Sequence, residues 1–136
     1  MRVKLMDGAR KPTRAHATDA GLDLYAMHGG LVRAGRTATF HTGVHVQLPP
    51  QTAGILLPKS GLMLGHDLLT FGVVDEGYSG EIMVHVFNMG TDDYMIEPGQ
   101  KISQLLTAHV VYEPVEVVDE IDCGERGASG FGSTGK

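Results

Sequence analysis

Few residues of this 136-residue chain have the type and spacing to do chemistry, and they fall in five short segments. DAGLDLYA (19–26) carries Asp23 where a turn leads into a strand. PKSG (58–61) offers Lys59, the Ser60 hydroxyl and backbone amides around Gly61, a set suited to anionic oxygens. GVVDEGYSGEI (72–82) reads as a hairpin with Asp75 at its mouth and Tyr78 three residues on. A carboxylate is ionised at neutral pH and can take a proton from water. GQKISQLL (99–106) sets Lys101 and Gln104 at the start of a strand after the β-turn EPGQ. The chain closes on RGASGFGSTGK (126–136), in which Arg126 brings charge, Phe131 an aromatic face, and Ser133 and Thr134 hydroxyls. The glycines between them let the backbone close over a ligand. Taken singly, each segment is also an ordinary turn, and the last an ordinary disordered terminus.

Two other motifs fail on physical grounds. Gly130 to Lys136 spells G-x-x-x-x-G-K, but a P-loop lends the amides of a following helix to its phosphates, and with Lys136 the last residue neither that helix nor the Ser or Thr that holds Mg²⁺ is expected. His41 and His45 stand at i, i+4, which suits zinc on a helix. On a strand that spacing separates their backbones by roughly 13 Å, poorly suited to one metal.

The elements that must position these groups are strands. Short apolar runs bounded by Gly, Pro, Asp or Asn recur: TATFHTGVHVQLPP, GILLP, LLTFGVV, EIMVHVFNM, KISQLLTAHVV and VEVV. SGLMLGHD is the one stretch suited to a short helix. The expected fold is all-β, a jelly-roll-like sandwich or barrel with at most one short helix. In EIMVHVFNM, Ile82, Val84 and Val86 point one way and Met83, Phe87 and Met89 the other, so the second face suggests burial against another subunit. A hydrophobic fraction of 42% and a charged fraction of 20% are those of a soluble globular domain. No run approaches a membrane span, no secretory leader is present, and Cys123 is alone, which together suggest the cytoplasm. A net charge of −5 argues against a nucleic-acid footprint. It leaves room for a small anion where the sparse cations Lys59, Lys101, Arg126 and Lys136 converge.

The order of the segments is more specific than any one of them. DAGLDL, PKSG, GVVDEGYSGEI, GQKISQLL and RGASGFGSTG closely resemble the five ordered motifs of the trimeric dUTP pyrophosphatases (dUTPases), from about Asp19 to the last residue. The resemblance implies a homotrimer with three active sites at subunit interfaces, in which residues 1–123 form the β domain and 124–136 a flexible arm that closes over a site. It implies hydrolysis of dUTP to dUMP and pyrophosphate, with Asp75 activating the water that attacks the α-phosphorus. Asp23 matches a carboxylate that supports Mg²⁺ on the triphosphate through bound water. Lys59, Ser60, Gly61, Gln104, Arg126, Ser133 and Thr134 match phosphate ligands. Tyr78 matches the tyrosine beneath the deoxyribose, Gly72, Val73 and Met83 the segments that read uracil through their backbone, and Phe131 the aromatic stacked on the base.

Departures from the family pattern are Lys59 where arginine is common, Gln100 and Lys101 where Asp-Arg is frequent, and Ser79 after the tyrosine. Leu69 occupies the place of an asparagine that reads uracil in some members, which favours backbone recognition here. Two rivals remain at this level. A dCTP deaminase shares the fold but lacks a terminus like RGASGFGSTG. A nucleotide-binding regulator acting through a protein partner would be expected to have lost Asp75 or the arm. For a viral chain, the compartment would be the host cytoplasm.

Overall fold

The computed structural model describes residues 1–125 and 127–129. Two four-stranded antiparallel sheets face each other across one core. The first has the order β1 (Arg2–Leu5), β4 (Thr37–Gln47), β8 (Glu81–Asn88), β6 (Leu68–Leu69). The second has the order β2 (Gly21–Tyr25), β10 (Lys101–His109), β5 (Thr52–Leu57), β7 (Gly72–Val74). A small ribbon of β3 (Gly30–Val32) and β9 (Tyr94–Ile96) closes one end. The expected all-β, jelly-roll-like fold is what forms, and SGLMLGHD supplies the one helix among the described residues, α1 (Ser60–His66). No helix among them is long and apolar enough to cross a membrane.

Period-two alternation explains the sandwich. Along β8, Ile82, Val84 and Val86 are buried while Met83 and Phe87 face outward, and Met89 beyond the strand is also exposed. Val44, Val46 and Leu48 meet them from β4 and the turn beyond it, and Leu22, Leu24, Leu56, Ile102 and Leu105 come from the second sheet. The β4–β8 register slips between His41 and His45, where β4 spends four residues against two of β8. Two extra residues preserve the inward phase, so Phe40 and Val44 both remain in the core.

Three strand expectations need correction. LLTFGVV is two strands, because the chain leaves β8 after Leu69 and joins β5 at Gly72. For the same reason GVVDEGYSGEI is not a hydrogen-bonded hairpin: β7 pairs with β5 in one sheet and β8 with β4 in the other. VEVV forms no strand, since residues 111–118 find no partner edge among the described residues, and Val115 and Val117 are almost fully exposed. The turn EPGQ is present, with the Gln100 N–H donating to the Glu97 carbonyl at 3.1 Å and Gly99 at φ +74°.

Candidate active site

The first cluster of site residues forms along one row of the second sheet. Gln104 pairs in register with Asp23 on one side and Leu57 on the other, so Asp23, Gln104 and the chain running on to Lys59 and Ser60 lie together. The Gln104 amide donates to the Pro58 carbonyl at 3.1 Å, which ties the start of PKSG to β10. Ser60 and Gly61 are exposed at the first two positions of α1, where a helix leaves amides without intrahelical partners. Gly21 makes room for the glutamine, since a Cβ there would come within 2.6 Å of Gln104 Oε1.

Asp23 is buried and holds two cations. One carboxylate oxygen accepts from Lys59 Nζ, and the other from Lys101 Nζ at 2.7 Å. Burial alone would raise the Asp23 carboxyl, but the hydrogen bonds and charges of Lys101 and Lys59 outweigh it and hold the group below the usual carboxylate range. Lys101 is correspondingly raised, by its hydrogen bond to Asp23 first and then by the charge of Asp23. In a regular strand Lys101 and Gln104, three apart, would face opposite sides of the sheet. A register shift between Lys101 and Ser103 brings both to the Asp23 face, where Lys101 lies opposite Tyr25. Of the four sparse cations, Lys59 and Lys101 do converge, and they converge on a carboxylate. Tyr25 extends this face, with its hydroxyl 2.5 Å from Thr13 Oγ1 and the Arg10 guanidinium 4.4 Å above its ring.

The second cluster is a cleft of about 230 Å³ between β7 and β8. Gly72, Val73, Tyr78 and Met83 all line it, together with Leu56, Phe71 and Glu81. Each strand spends one edge on a partner, β7 on β5 and the start of β8 on β4, so their other edges present backbone donors and acceptors to the cleft. The diverging strands thus leave a slot where a paired hairpin would have none. Asp75 follows β7 and is exposed, and its carbonyl accepts the Tyr78 N–H at 3.0 Å in a tight turn. The Tyr78 hydroxyl donates to the Glu81 carbonyl at 2.9 Å, and its ring lies against Gly80 so closely that a Cβ there would sit 2.5 Å from the ring carbon Cζ. Glu76, next to Asp75, accepts from the Gln51 N–H at 2.9 Å and from the Tyr112 hydroxyl at 2.6 Å, tying the turn to the start of the C-terminal segment.

Asp75 is not brought to Lys59 and Ser60 within one chain, although the Gly72 end of the cleft, paired with Leu56, adjoins the row at Leu57. Val74 pairs with Gly54, so Asp75 lies beside the start of β5, while Lys59 and Ser60 follow its end at Leu57. Four residues of strand separate these levels, roughly 13 Å along the sheet. Arg126, Phe131, Ser133 and Thr134 lie outside the described residues. Lys101, Glu76 and Glu81 stand within the motif segments, but that Lys101 partners Asp23 and the glutamates act as supports is not legible there, because those pairings depend on a bulge and on cross-strand register.

A family model described as dUTPase matches residues 7–135. A deoxyuridine 5'-triphosphate nucleotidohydrolase of Clostridium acetobutylicum is 40% identical over 135 residues, covering 97% of this chain and 93% of the relative. Among solved structures, the dUTPase of Staphylococcus bacteriophage 80alpha with dUPNHPP has a TM-score of 0.93 at 28% identity, covering 99% of this chain and 98% of that one. A dUTPase variant from phage phi11 of S. aureus, whose structure concerns coordination of a structural Mg(II) ion, shares the fold with a TM-score of 0.80 at 24% identity, covering 88% and 96%.

Proposed function

The chain belongs to the dUTPase family, and on that premise we propose that it hydrolyses dUTP to dUMP and pyrophosphate at a site shared between copies of the chain. The observation that carries this reading is the separation of Asp75 from the row of Asp23, Gln104, Lys59 and Ser60 by about four residues along β5, so that neither group suffices alone. The cleft holds the nucleoside, with Asp75 just beyond its β7 wall, and the row of Asp23, Gln104, Lys59 and Ser60 with Gly61 holds the triphosphate. A homotrimer brings the cleft of one copy to the phosphate row of another. The arm, residues 124–136, completes the site with Arg126, Ser133 and Thr134 on phosphate and Phe131 on the base.

In this reading Asp75 accepts a proton from water as the water oxygen bonds to the α-phosphorus and the bond to the pyrophosphate oxygen breaks. Uracil enters the slot between β7 and β8 and pairs with backbone groups near Gly72 and Met83. A fixed N–H facing the C4 position accepts the uracil carbonyl and opposes the amino group of cytosine. The Tyr78 ring lies beneath the deoxyribose, where a 2′-hydroxyl clashes. Among the described residues no three His, Cys, Asp or Glu side chains gather as a metal cage. The residues would suit a Mg²⁺ ion brought in on the triphosphate, with Asp23 as the carboxylate that would support it through water. Such an ion supplies charge neutralisation and a template for the bent triphosphate. Lys59 and Lys101, held ready on Asp23, are the cations that meet the incoming charge.

Pyrophosphate release from dUTP, dCTP, dTTP and UTP, each with Mg²⁺ and with excess chelator, tests this reading. Rapid release from dUTP alone, dependent on Mg²⁺ and reduced by at least about 100-fold in Asp75→Asn, is the expected result. Equal release from all four nucleotides, or full activity in Asp75→Asn, would overturn it.

A further inference from the structure

Beside the nucleoside cleft, β4 and β8 are joined by side chains where their ladder is interrupted. The bulge of β4 turns on Gly43, at φ +65°, and takes the Gly43 N–H out of the regular ladder. The Glu81 carboxylate satisfies it: Oε1 accepts from the Gly43 N–H at 2.7 Å, and Oε2 accepts from His41 Nδ1 at 2.8 Å. Two neighbouring bonds fasten the same stretch of chain. The Thr42 hydroxyl donates to the Ile82 carbonyl at 2.6 Å, and His45 Nδ1 donates to the Ser79 carbonyl at 3.0 Å. On the other side, the Glu81 carbonyl accepts the Tyr78 hydroxyl, and Tyr78, Glu81, Ile82 and Met83 all line the cleft.

We propose that Glu81 is a positioning residue for sugar discrimination: its carboxylate, anchored on the β4 bulge, fixes the main-chain carbonyl that holds the Tyr78 hydroxyl. The anchor sets how far the Tyr78 ring stands from the sugar, and hence the clearance at the 2′ position. The inference rests on the proposed dUTP hydrolysis but concerns a residue to which that reading gives no contact with the nucleotide. A carboxylate suits the role because it is acceptor-only, and it can take an amide N–H on one oxygen and an imidazole N–H on the other. Glutamine can keep both bonds, accepting from Gly43 and donating to the other tautomer of His41, whereas alanine keeps neither.

Steady-state kinetics on dUTP and UTP with wild type, Glu81→Gln and Glu81→Ala test the proposal. Glu81→Ala is expected to raise KM for dUTP about ten-fold, narrow the dUTP-over-UTP preference in kcat/KM about ten-fold, and leave kcat for dUTP within about three-fold. Glu81→Gln is expected to stay within about three-fold of wild type on all three. If Glu81→Ala does not fold, His41→Ala, which leaves the Gly43 bond intact, carries the test with a narrowing of about five-fold, beyond the range expected of Glu81→Gln. A lowered melting temperature with unchanged KM and unchanged preference would make Glu81 a structural residue only and overturn the inference while leaving dUTP hydrolysis standing. No release from dUTP by the wild type would overturn both.

Discussion

At Asp23 one buried carboxylate meets two lysines, and the consequence is a pH dependence with a definite sign. The folded state holds the Asp23 carboxyl below its ordinary value, so its contribution to stability is present above about pH 4 and is lost as pH falls through the depressed value. Lys101 is raised, so its contribution is present below about pH 10 and is lost as pH rises through the elevated value. Urea unfolding across pH should show stability falling at both ends of that window. Asp23→Asn should lower stability at neutral pH and flatten the acid limb. An acid limb unchanged in Asp23→Asn would mean that the ion pairs are not formed in solution. In the proposed reaction the same contact bears on function, since an incoming triphosphate would compete with Asp23 for Lys59.

Strands do most of the positioning, and their departures from regularity matter more than their regular parts. The bulge at Gly43 is the clearest case, for a Cβ there would lie 2.5 Å from Ala9 Cβ and from Met27 Sδ, at a φ that L-residues rarely adopt. Gly43→Ala should therefore destabilise the fold by about 1–3 kcal/mol, seen as a lowered midpoint in denaturant, and should loosen the Glu81 contact with it. An unchanged midpoint would show that the bulge is not held as described. These irregularities also mark what the sequence conceals. Alternation makes Ile82, Val84 and Val86 readable as an inward face, and segment order marks Asp23, Asp75 and Gln104 as site candidates. Alternation does not say which sheet a strand joins, so β7 and β8 look like a hairpin although each bonds elsewhere. Nor does it say that a one-residue bulge turns Lys101 to face Asp23, because spacing alone puts Lys101 on the opposite side from Gln104. The strands β1, β3 and β9 are four residues or fewer and carry too little pattern to stand out.

In the whole molecule, Asp75 and the row of Lys59 and Ser60 lie at opposite ends of β5, and large apolar side chains remain exposed. Phe71, Val73 and Met83 stand outward around the cleft, Met89 beyond the far end of β8, and Val111, Val115, Val117 and Ile121 along the extended C-terminal segment. Exposed apolar surface of this extent favours self-association. A symmetric homotrimer would cover part of it and join the cleft of one copy to the phosphate row of the next. The most direct test mixes two inactive variants that disable different halves, Asp75→Asn and the Ser60→Ala, Gln104→Ala double variant. The two are unfolded together, refolded at equal amounts, and assayed for pyrophosphate release from dUTP. In randomly assembled trimers roughly a quarter of the sites would combine an intact Asp75 from one copy with an intact phosphate row from another, so activity should return to about that fraction of wild type. A mixture as inactive as either variant alone would mean that each site is built within one chain, and would contradict the account.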